Sequence, residues 1–339
     1  MKPLEESIVR DLETRADEND LTIRPYTLND YIGQEKAKVS LKVYIDAAKG
    51  RGESMDHVLL YGPPGLGKTT LAHVIANELV TDIRVTSGPA LARPGDLASI
   101  LSGLNGGDIL FIDEIHRLPK PVEEVLYSAM EDYKLSVIVG RDEQARTVDV
   151  PLPPFTLIGA TTQAGSLSQP LRDRFGIVVT MAFYTLDELV RIVERTARVF
   201  DFPIDSKAAL DIATRARGTP RIANRIYRRV RDHASVLGRV DIDESTTLKA
   251  LDSLGIDSLG LDASDRRILR TMIERFQGHP VGVNAIAAAV GEEPENIVDI
   301  YEPYLIRAGL IDRTPRGRVP TEKAYLHLGL RPGGLFFQR

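Results

Sequence analysis

The stretch GPPGLGKTT at Gly62 to Thr70 decides the fold, together with ILFIDE at Ile109 to Glu114. The first has the spacing G-x-x-x-x-G-K-[ST] through Gly62, Gly67, Lys68 and Thr69. A glycine-rich turn of this kind lets backbone N–H groups close around phosphate oxygens without side-chain collision. His57 to Tyr61, HVLLY, reads as the buried strand feeding the loop, and about Lys68 to Leu79 as a helix whose positive N-terminal end faces the phosphates. In that setting Lys68 reaches the β- and γ-phosphates and the Thr69 hydroxyl sits on Mg²⁺. The second stretch is an apolar strand ending in two carboxylates. Asp113 is expected to hold the Mg²⁺ shell and Glu114 to polarise the attacking water; the bland alternative is a core strand with solvated acids at its tip. Together the motifs predict binding and hydrolysis of a nucleoside triphosphate with Mg²⁺.

Outward from this pair, short β-rich runs alternate with helical stretches. The expected strands are His57 to Tyr61, Asp82 to Thr86, Ile109 to Asp113, Phe155 to Ala160 and Ile177 to Val179, with an amphipathic helix at about Glu35 to Lys49. That alternation predicts an α/β domain, a parallel sheet covered by helices on both faces, over residues 21–184. Beyond Thr185 the strands stop. Leu186 to Phe200, Ser206 to Arg217, Pro220 to Leu237 and Glu244 to Leu254 read as helices of a small all-helical unit, 185–255, with Gly218 and Gly238 as stop signals. Gly255 to Asp265 reads as a linker.

The last segment, 256–330, has another rhythm. Helices are expected at Asp265 to Gln277, Val283 to Val290 and Glu295 to Ala308, then a β-hairpin over Leu310 to Thr321 with its tip at Pro315, Arg316 and Gly317. Three helices and a hairpin form the winged-helix pattern, a helix-turn-helix relative; a small helical docking domain is the competing reading. Arg313, Arg316 and Arg318 lie on or beside the tip, where arginine can reach backbone phosphates without reading sequence. Arg313 and Arg318 are the favoured binders, and a solvated tip is the alternative. Residues 1–20 are expected to be a flexible acidic segment and 331–339 a tail.

The 339-residue chain carries a formal charge of −5, no cysteine and six histidines. A net negative charge argues against a uniformly basic surface but leaves room for a local nucleic-acid patch. Disulfides and thiolate metal sites are excluded, and no histidines show zinc-ligand spacing. No apolar run approaches the length of a membrane span and the N-terminus is charged, so a cytoplasmic location is expected.

Three further stretches refine the chemistry. IGATT, Ile158 to Thr162, ends the strand expected beside ILFIDE, and Thr161 there can hydrogen-bond the attacking water or the γ-phosphate, unless it is a plain strand-end threonine. PLRDRFG, Pro170 to Gly176, places Arg172 and Arg174 where an arginine can project into a neighbouring subunit's nucleotide, Arg174 being the stronger candidate; the alternative is an ordinary surface pair. GTPRIANR, Gly218 to Arg225, opens a helix of the second unit with Arg221, which can reach the γ-phosphate of its own subunit. The surrounding Arg215, Arg217, Arg225, Arg228, Arg229 and Arg231 read as a solvated basic face.

The set GPPGLGKTT, FIDEIHRL, IGATT, PLRDRFG and ARGTPRIANR, followed by a winged helix with RTPRGR, resembles the RuvB family, the bacterial AAA+ motors that drive branch migration of Holliday junctions. The resemblance runs from about Leu21 to Leu330. Threonine stands where many wider AAA+ relatives carry asparagine in the first sensor. The resemblance implies ATP bound between the large and small ATPase domains. Ile23, Arg24 and Tyr184 would form its pocket, and Gly65, Lys68, Thr69 and Thr70 would hold the phosphates. Glu131, Asp132 and Tyr133 would lie close to the nucleotide. Arg174 would be the trans finger and Arg221 the second sensor. It further implies homo-hexamers encircling duplex DNA, two rings flanking a four-way junction bound by RuvA, and RuvC as resolvase, in recombinational repair. Tyr133 to Pro154 fits a protruding hairpin that docks on RuvA through Leu135, Val137, Ile138 and Val139; an internal strand fits those residues equally. A clamp loader or replication initiator shares the ATPase motifs, but the terminal winged helix and the missing cysteine zinc module weigh against the former. A nucleotide-switched regulator of one operator would need no Glu114.

Overall fold

The computed structural model describes residues 23–139 and 146–331. The expectations for residues 1–20 and, Arg331 apart, for the tail lie outside the described residues. The chain divides into two compact units, Met1–Tyr184 and Thr185–Arg339.

The first unit is built on β1 (Val58–Tyr61), β2 (Ile83–Ser87), β3 (Ile109–Asp113), β6 (Thr156–Thr161) and β7 (Ile177–Thr180), all parallel, in the order β2-β3-β6-β1-β7. Each expected strand is present, its ends moved by a residue or so. Every residue of β6 is buried, as a strand covered on both faces requires. The helices are α1 (Glu35–Arg51), α2 (Lys68–Leu79), α3 (Pro94–Leu101), α4 (Lys120–Asp132) and the short α5 (Gln169–Asp173). Leu59, Leu110, Ile112, Phe155 and Leu157 of the sheet side pack with Leu97, Leu101, Val122 and Leu126 in one core cluster.

β4 (Lys134–Val139) and β5 (Arg146–Pro151) form a separate antiparallel hairpin, registered from Lys134 opposite Pro151 to Val139 opposite Arg146. This corrects the internal-strand alternative for Leu135, Val137, Ile138 and Val139, since β4 pairs with no strand of the central sheet. It also corrects Leu135 as a docking residue: at the root of the hairpin its side chain is buried in the domain core. On β5, Val148 and Val150 are exposed.

The second unit begins with four helices, α6 (Leu186–Val199), α7 (Ser206–Arg215), α8 (Pro220–Val236) and α9 (Glu244–Ser253). The start of α6 is fixed by a capping box in which Glu188 N–H donates to Thr185 Oγ1 at 3.3 Å and Thr185 N–H to Glu188 Oε2 at 2.7 Å. The winged helix follows: α10 (Ala263–Arg270, continued by a π-helical turn over Thr271–Arg275), α11 (Val283–Val290), and α12, which runs from Pro294–Asn296 through π-helical Ile297–Tyr301 into Glu302–Arg307. The hairpin β8 (Ile311–Thr314) and β9 (Gly317–Pro320) then makes the wing, before α13 (Glu322–His327). Val281 bridges to Arg318, which seats the wing on the helices; a Cβ at Gly317 would run into the Val281 backbone.

The linker expected over Gly255 to Asp265 is a folded turn. Asp257 accepts from the N–H groups of Leu259 and Leu261 at 3.0 and 2.9 Å, and Arg266 donates to the carbonyls of Gly255 and Leu261 at 2.8 and 2.7 Å. Asp and Gly are common in linkers and in hydrogen-bonded turns alike, which is why composition alone misread it.

Candidate active site

The parallel register brings three strand ends together. β6 lies between β3 and β1, with Thr161 opposite Tyr61 and Gly159 opposite Ile112. The loop after β1 and the carboxylates at the end of β3 are therefore two strand spacings apart, about 10 Å, with the end of β6 between them. Lys68, Thr69, Thr70, Asp113, Glu114 and Thr161 thus share the C-terminal edge of the sheet.

The loop itself has the backbone that the motif demands. Gly62, Gly65 and Gly67 take φ of 155°, 78° and 93°. At Gly67 a Cβ would stand 2.8 Å from the Tyr31 hydroxyl, so a side chain is excluded by backbone and by space. Buried Lys68 turns its ammonium into the loop, donating to the carbonyls of Gly62 at 2.7 Å and Pro63 at 2.9 Å. A buried ammonium set among glycine amides at a helix N-terminus is a cradle for an anion.

Two tyrosines brace the loop from behind. Tyr184 O–H donates to Leu66 O at 3.2 Å and to the Tyr31 hydroxyl at 3.1 Å, while Tyr31 reaches the carbonyls of Leu66 and Gly67 at 3.4 Å each. Burial, and then the neighbouring Tyr184, push the Tyr31 phenol well above its usual range. Tyr184 was expected beside the nucleotide from the resemblance; Tyr31, which braces the same loop, was not among the expected residues. The segment bearing Ile23 and Arg24 runs along α2: Ile23 is buried, Leu28 N–H donates to Glu78 and Asn77 donates to Tyr26 O. Burial, with Arg24's charge, holds the His73 imidazole on α2 below its usual value.

At the end of β3, Glu114 N–H donates to Asp113 Oδ1 at 2.9 Å. Glu114 is left-handed, φ 47°, which turns its carboxylate out of the strand; the carboxylate is about half exposed and pairs with Arg117 at 3.0 Å. Thr161 is buried, its Oγ1 sharing a hydrogen bond with His116 Nδ1 and accepting from Gln163 N–H, both at 3.0 Å. Next to it Thr162 is half-buried, and its hydroxyl takes no partner among the described residues.

Arg174 stands elsewhere. It lies just before β7, at the N-terminal edge of the sheet, where Nη2 pairs with Glu131 at 2.9 Å, Nη1 donates to Pro170 O at 2.7 Å and the guanidinium covers the Tyr127 ring at 4.6 Å. Tyr133, with φ 49°, packs its ring against His57 and Phe155, the residues that precede β1 and β6. A four-residue strand spans about 13 Å. Glu131, Asp132 and Tyr133, expected close to the nucleotide, are therefore a strand length from the phosphate loop of their own chain, and so is Arg174. The expectation that Glu131, Asp132 and Tyr133 lie close to the nucleotide does not hold for the phosphate loop of their own chain, while Arg174 was expected to act in trans.

In the second unit Arg221 lies in the first turn of α8, after the cap at Thr219 and Pro220. On the wing, Arg313 is exposed and Arg316 sits in the turn. Arg318 is corrected as an open tip residue. It is buried, Nε donating to Glu302 Oε1 at 3.1 Å and Nη2 to Glu302 Oε2 at 2.8 Å, because β9 alternates and turns Arg318 inward onto α12. Arg313 Nε also lies 3.7 Å from Glu302.

Comparison with known proteins matches three consecutive family models: the Holliday junction DNA helicase RuvB P-loop domain over 23–181, the RuvB AAA lid domain over 184–257 and the RuvB C-terminal winged helix domain over 258–329. The chain belongs to the RuvB family. Among solved structures, the Thermotoga maritima RuvB Holliday junction branch migration motor is 53% identical with TM-score 0.84, over 91% of this chain and 99% of that one. Two point mutants of Thermotoga maritima RuvB match with the same identity, TM-score and coverage. As a RuvB P-loop AAA+ chain this protein is an ATPase of the DNA-translocase class. Among the described residues no helix is long and apolar enough to cross a membrane.

Proposed function

We propose that this chain pumps the duplex arms of four-way DNA junctions through a homo-hexameric ring, with RuvA holding the junction and RuvC resolving it. The observation that carries the ring is the division of the site. The phosphate loop and the carboxylates occupy one edge of the sheet, and Arg174 with Glu131 occupies the other. One chain holds a cradle without its finger, and a second chain set edge to edge supplies it.

ATP and Mg²⁺ fit the residues present, since a glycine cradle around a buried ammonium, followed by a hydroxyl and two carboxylates, matches their charges. Thr69 and Asp113 would hold the Mg²⁺, which supplies electrophilic neutralisation of the phosphate oxygens. Gly62, Gly65, Gly67, Lys68 and Thr70 bind the phosphates, and Ile23, Arg24 and Tyr184 the rest of the nucleotide. Glu114 takes the proton of the attacking water. Thr162, whose hydroxyl is uncommitted, orients that water or the γ-phosphate, with Thr161 fixing the strand end. Arg174, with Glu131, Asp132 and Tyr133 around it, faces the neighbour's nucleotide. Arg221 senses the γ-phosphate from α8. Arg313 and Arg316 meet DNA phosphates, and Arg318 holds the wing to α12. Val137, Ile138 and Val139 on the hairpin meet RuvA.

The test is strand separation of a labelled four-way junction with a migratable core, given RuvA, ATP and Mg²⁺, with Lys68→Ala in parallel. ATP-dependent separation that Lys68→Ala loses supports the proposal. ATP hydrolysis that leaves the junction intact refutes it, and clamp loading would be assayed next.

A further inference from the structure

Arg217 was expected on a solvated face, and the structure buries it. Arg217 and Gly218 are consecutive left-handed residues, φ 53° and 70°, that turn the chain from α7 into α8. From this turn the guanidinium points into the winged helix. Nε donates to Gly260 O at 2.7 Å, Nη1 to Asp265 Oδ1 at 3.4 Å and Nη2 to Asp265 Oδ2, while Asp262 lies at 3.7 Å. Its face covers the Tyr304 ring at 5.0 Å, and Tyr304 O–H donates to Leu259 O at 2.5 Å. From α12, Arg307 donates to the Arg217 carbonyl at 2.5 Å and covers the same ring at 5.5 Å. A Cβ at Gly218 would run into the Arg307 guanidinium. Below, Asp257 takes His327 of α13 at 2.8 Å and Arg266 of α10 at 3.4 Å.

A hinge between domains shows few buried contacts and a solvated backbone. Here the carbonyls of Gly255, Leu259, Gly260 and Leu261 all accept side-chain hydrogen bonds. The Asp265 side chain is fully buried beneath Arg217. Buried ion pairs fix geometry more than they add stability. The block also stands between two working ends: Arg221 lies in the first turn of α8, just past the Arg217 turn, and α12, which carries Tyr304 and Arg307, also carries Glu302, the residue that holds Arg318 and approaches Arg313 of the wing.

We infer that Arg217, with Asp265, Tyr304 and Arg307 around it, locks the lid helices and the winged helix into one stiff lever, so that movement of the α8 sensor end reaches the wing. Arg217 is a positioning residue, touching neither nucleotide nor DNA. The inference rests on the reading of Arg221 and the wing proposed above.

The chain has no cysteine, so Leu248→Cys on α9 and Leu326→Cys on α13, both exposed, take a spin-label pair cleanly. Distance distributions are measured in the full-length protein, in Arg217→Gln and in Arg307→Gln; the second changes an exposed residue and guards against a folding defect in the first. The expected result is one narrow distance that broadens in both variants. Junction strands separated per ATP hydrolysed should fall about ten-fold, while ATP turnover and duplex binding hold. An unbroadened distance overturns the stiff joint. Broadening with an unchanged ratio overturns transmission, as does a parallel loss of turnover, binding and separation. If the unsubstituted protein separates no junction, the motor reading and the transmission fall together, and the widths still decide whether the joint is stiff.

Discussion

Gly159→Ala tests how the core sets the spacing of the catalytic groups. Gly159 lies on β6, opposite Leu59 on one side and Ile112 on the other. A Cβ there would stand 2.9 Å from Ile115 Cδ1, 3.0 Å from Phe175 Cζ and 3.4 Å from Ile115 Cγ2. The strand backbone suits alanine, and removing a strand glycine by itself gains about 0.5–1 kcal/mol. Overpacking against two fully buried side chains costs about 1–3 kcal/mol. The net expectation is a loss of roughly 0.5–2 kcal/mol. Ile115→Val deletes the nearest methyl and alone costs about 0.5–1.5 kcal/mol. Simple addition would make the double variant lose roughly 1–3.5 kcal/mol. Because the deleted methyl is the one that the new Cβ meets, the double variant should be no less stable than the worse single variant, a coupling of about 1 kcal/mol.

The assay is urea unfolding of the four proteins, with equal m-values required before midpoints are compared. Ile115 follows Glu114 and Phe175 follows Arg174, so a displaced Ile115 or Phe175 carries a catalytic neighbour with it. Gly159→Ala should therefore lower kcat for ATP, and Ile115→Val should restore part of it. Additivity within about 0.5 kcal/mol, or a Gly159→Ala protein as stable as the parent, would refute the reasoning.

Arg174→Ala should bind ATP normally and lose about 10³–10⁵ in hydrolysis; mixing it with Glu114→Gln subunits should restore turnover if the finger acts in trans, and mixing without effect places it in cis. Arg313→Ala should reduce the slope of log K against log salt for duplex binding by about 0.9, and an unchanged slope removes it from the contacts. Arg318→Ala should instead lower the melting temperature, since the buried Glu302 carboxylate loses its partner at a cost of about 3 kcal/mol. Burial, against the pull of Arg217, pushes the Asp265 carboxyl up to about 6 from 3.8. A raised carboxyl pKa favours the folded state at low pH, and that advantage is lost as pH rises through about 6. The stability difference between the parent and Asp265→Asn should thus fall by about 3 kcal/mol from pH 3.5 to 7 in urea titrations and stay flat above; a rising difference would reverse the reading.

The α/β core was legible because its signals are local. A phosphate loop needs strand, turn and helix in succession, and each of HVLLY, GPPGLGKTT and ILFIDE names its own element. The parallel register then brings Lys68, Asp113 and Thr161 to one edge without further information. The misread residues share a cause. Arg217, Arg318 and Leu135 took the default reading of their type, charge outward or apolar face available, and in each case a residue distant in sequence decides otherwise: Asp265 and Tyr304 for Arg217, Glu302 for Arg318, the domain core for Leu135. Glu131 and Arg174 show the same limit from the functional side. Forty-three residues separate them, and only the fold sets them together on the edge away from the phosphate loop. The resemblance implied a trans role for Arg174 and a place near the nucleotide for Glu131, and the fold sets both a strand length from their own phosphate loop. On the proposed reading, a site completed by a neighbour's Arg174 gives a lone subunit little turnover, so the rate of ATP hydrolysis should rise with protein concentration more steeply than the number of sites, and strict proportionality would refute a finger acting in trans.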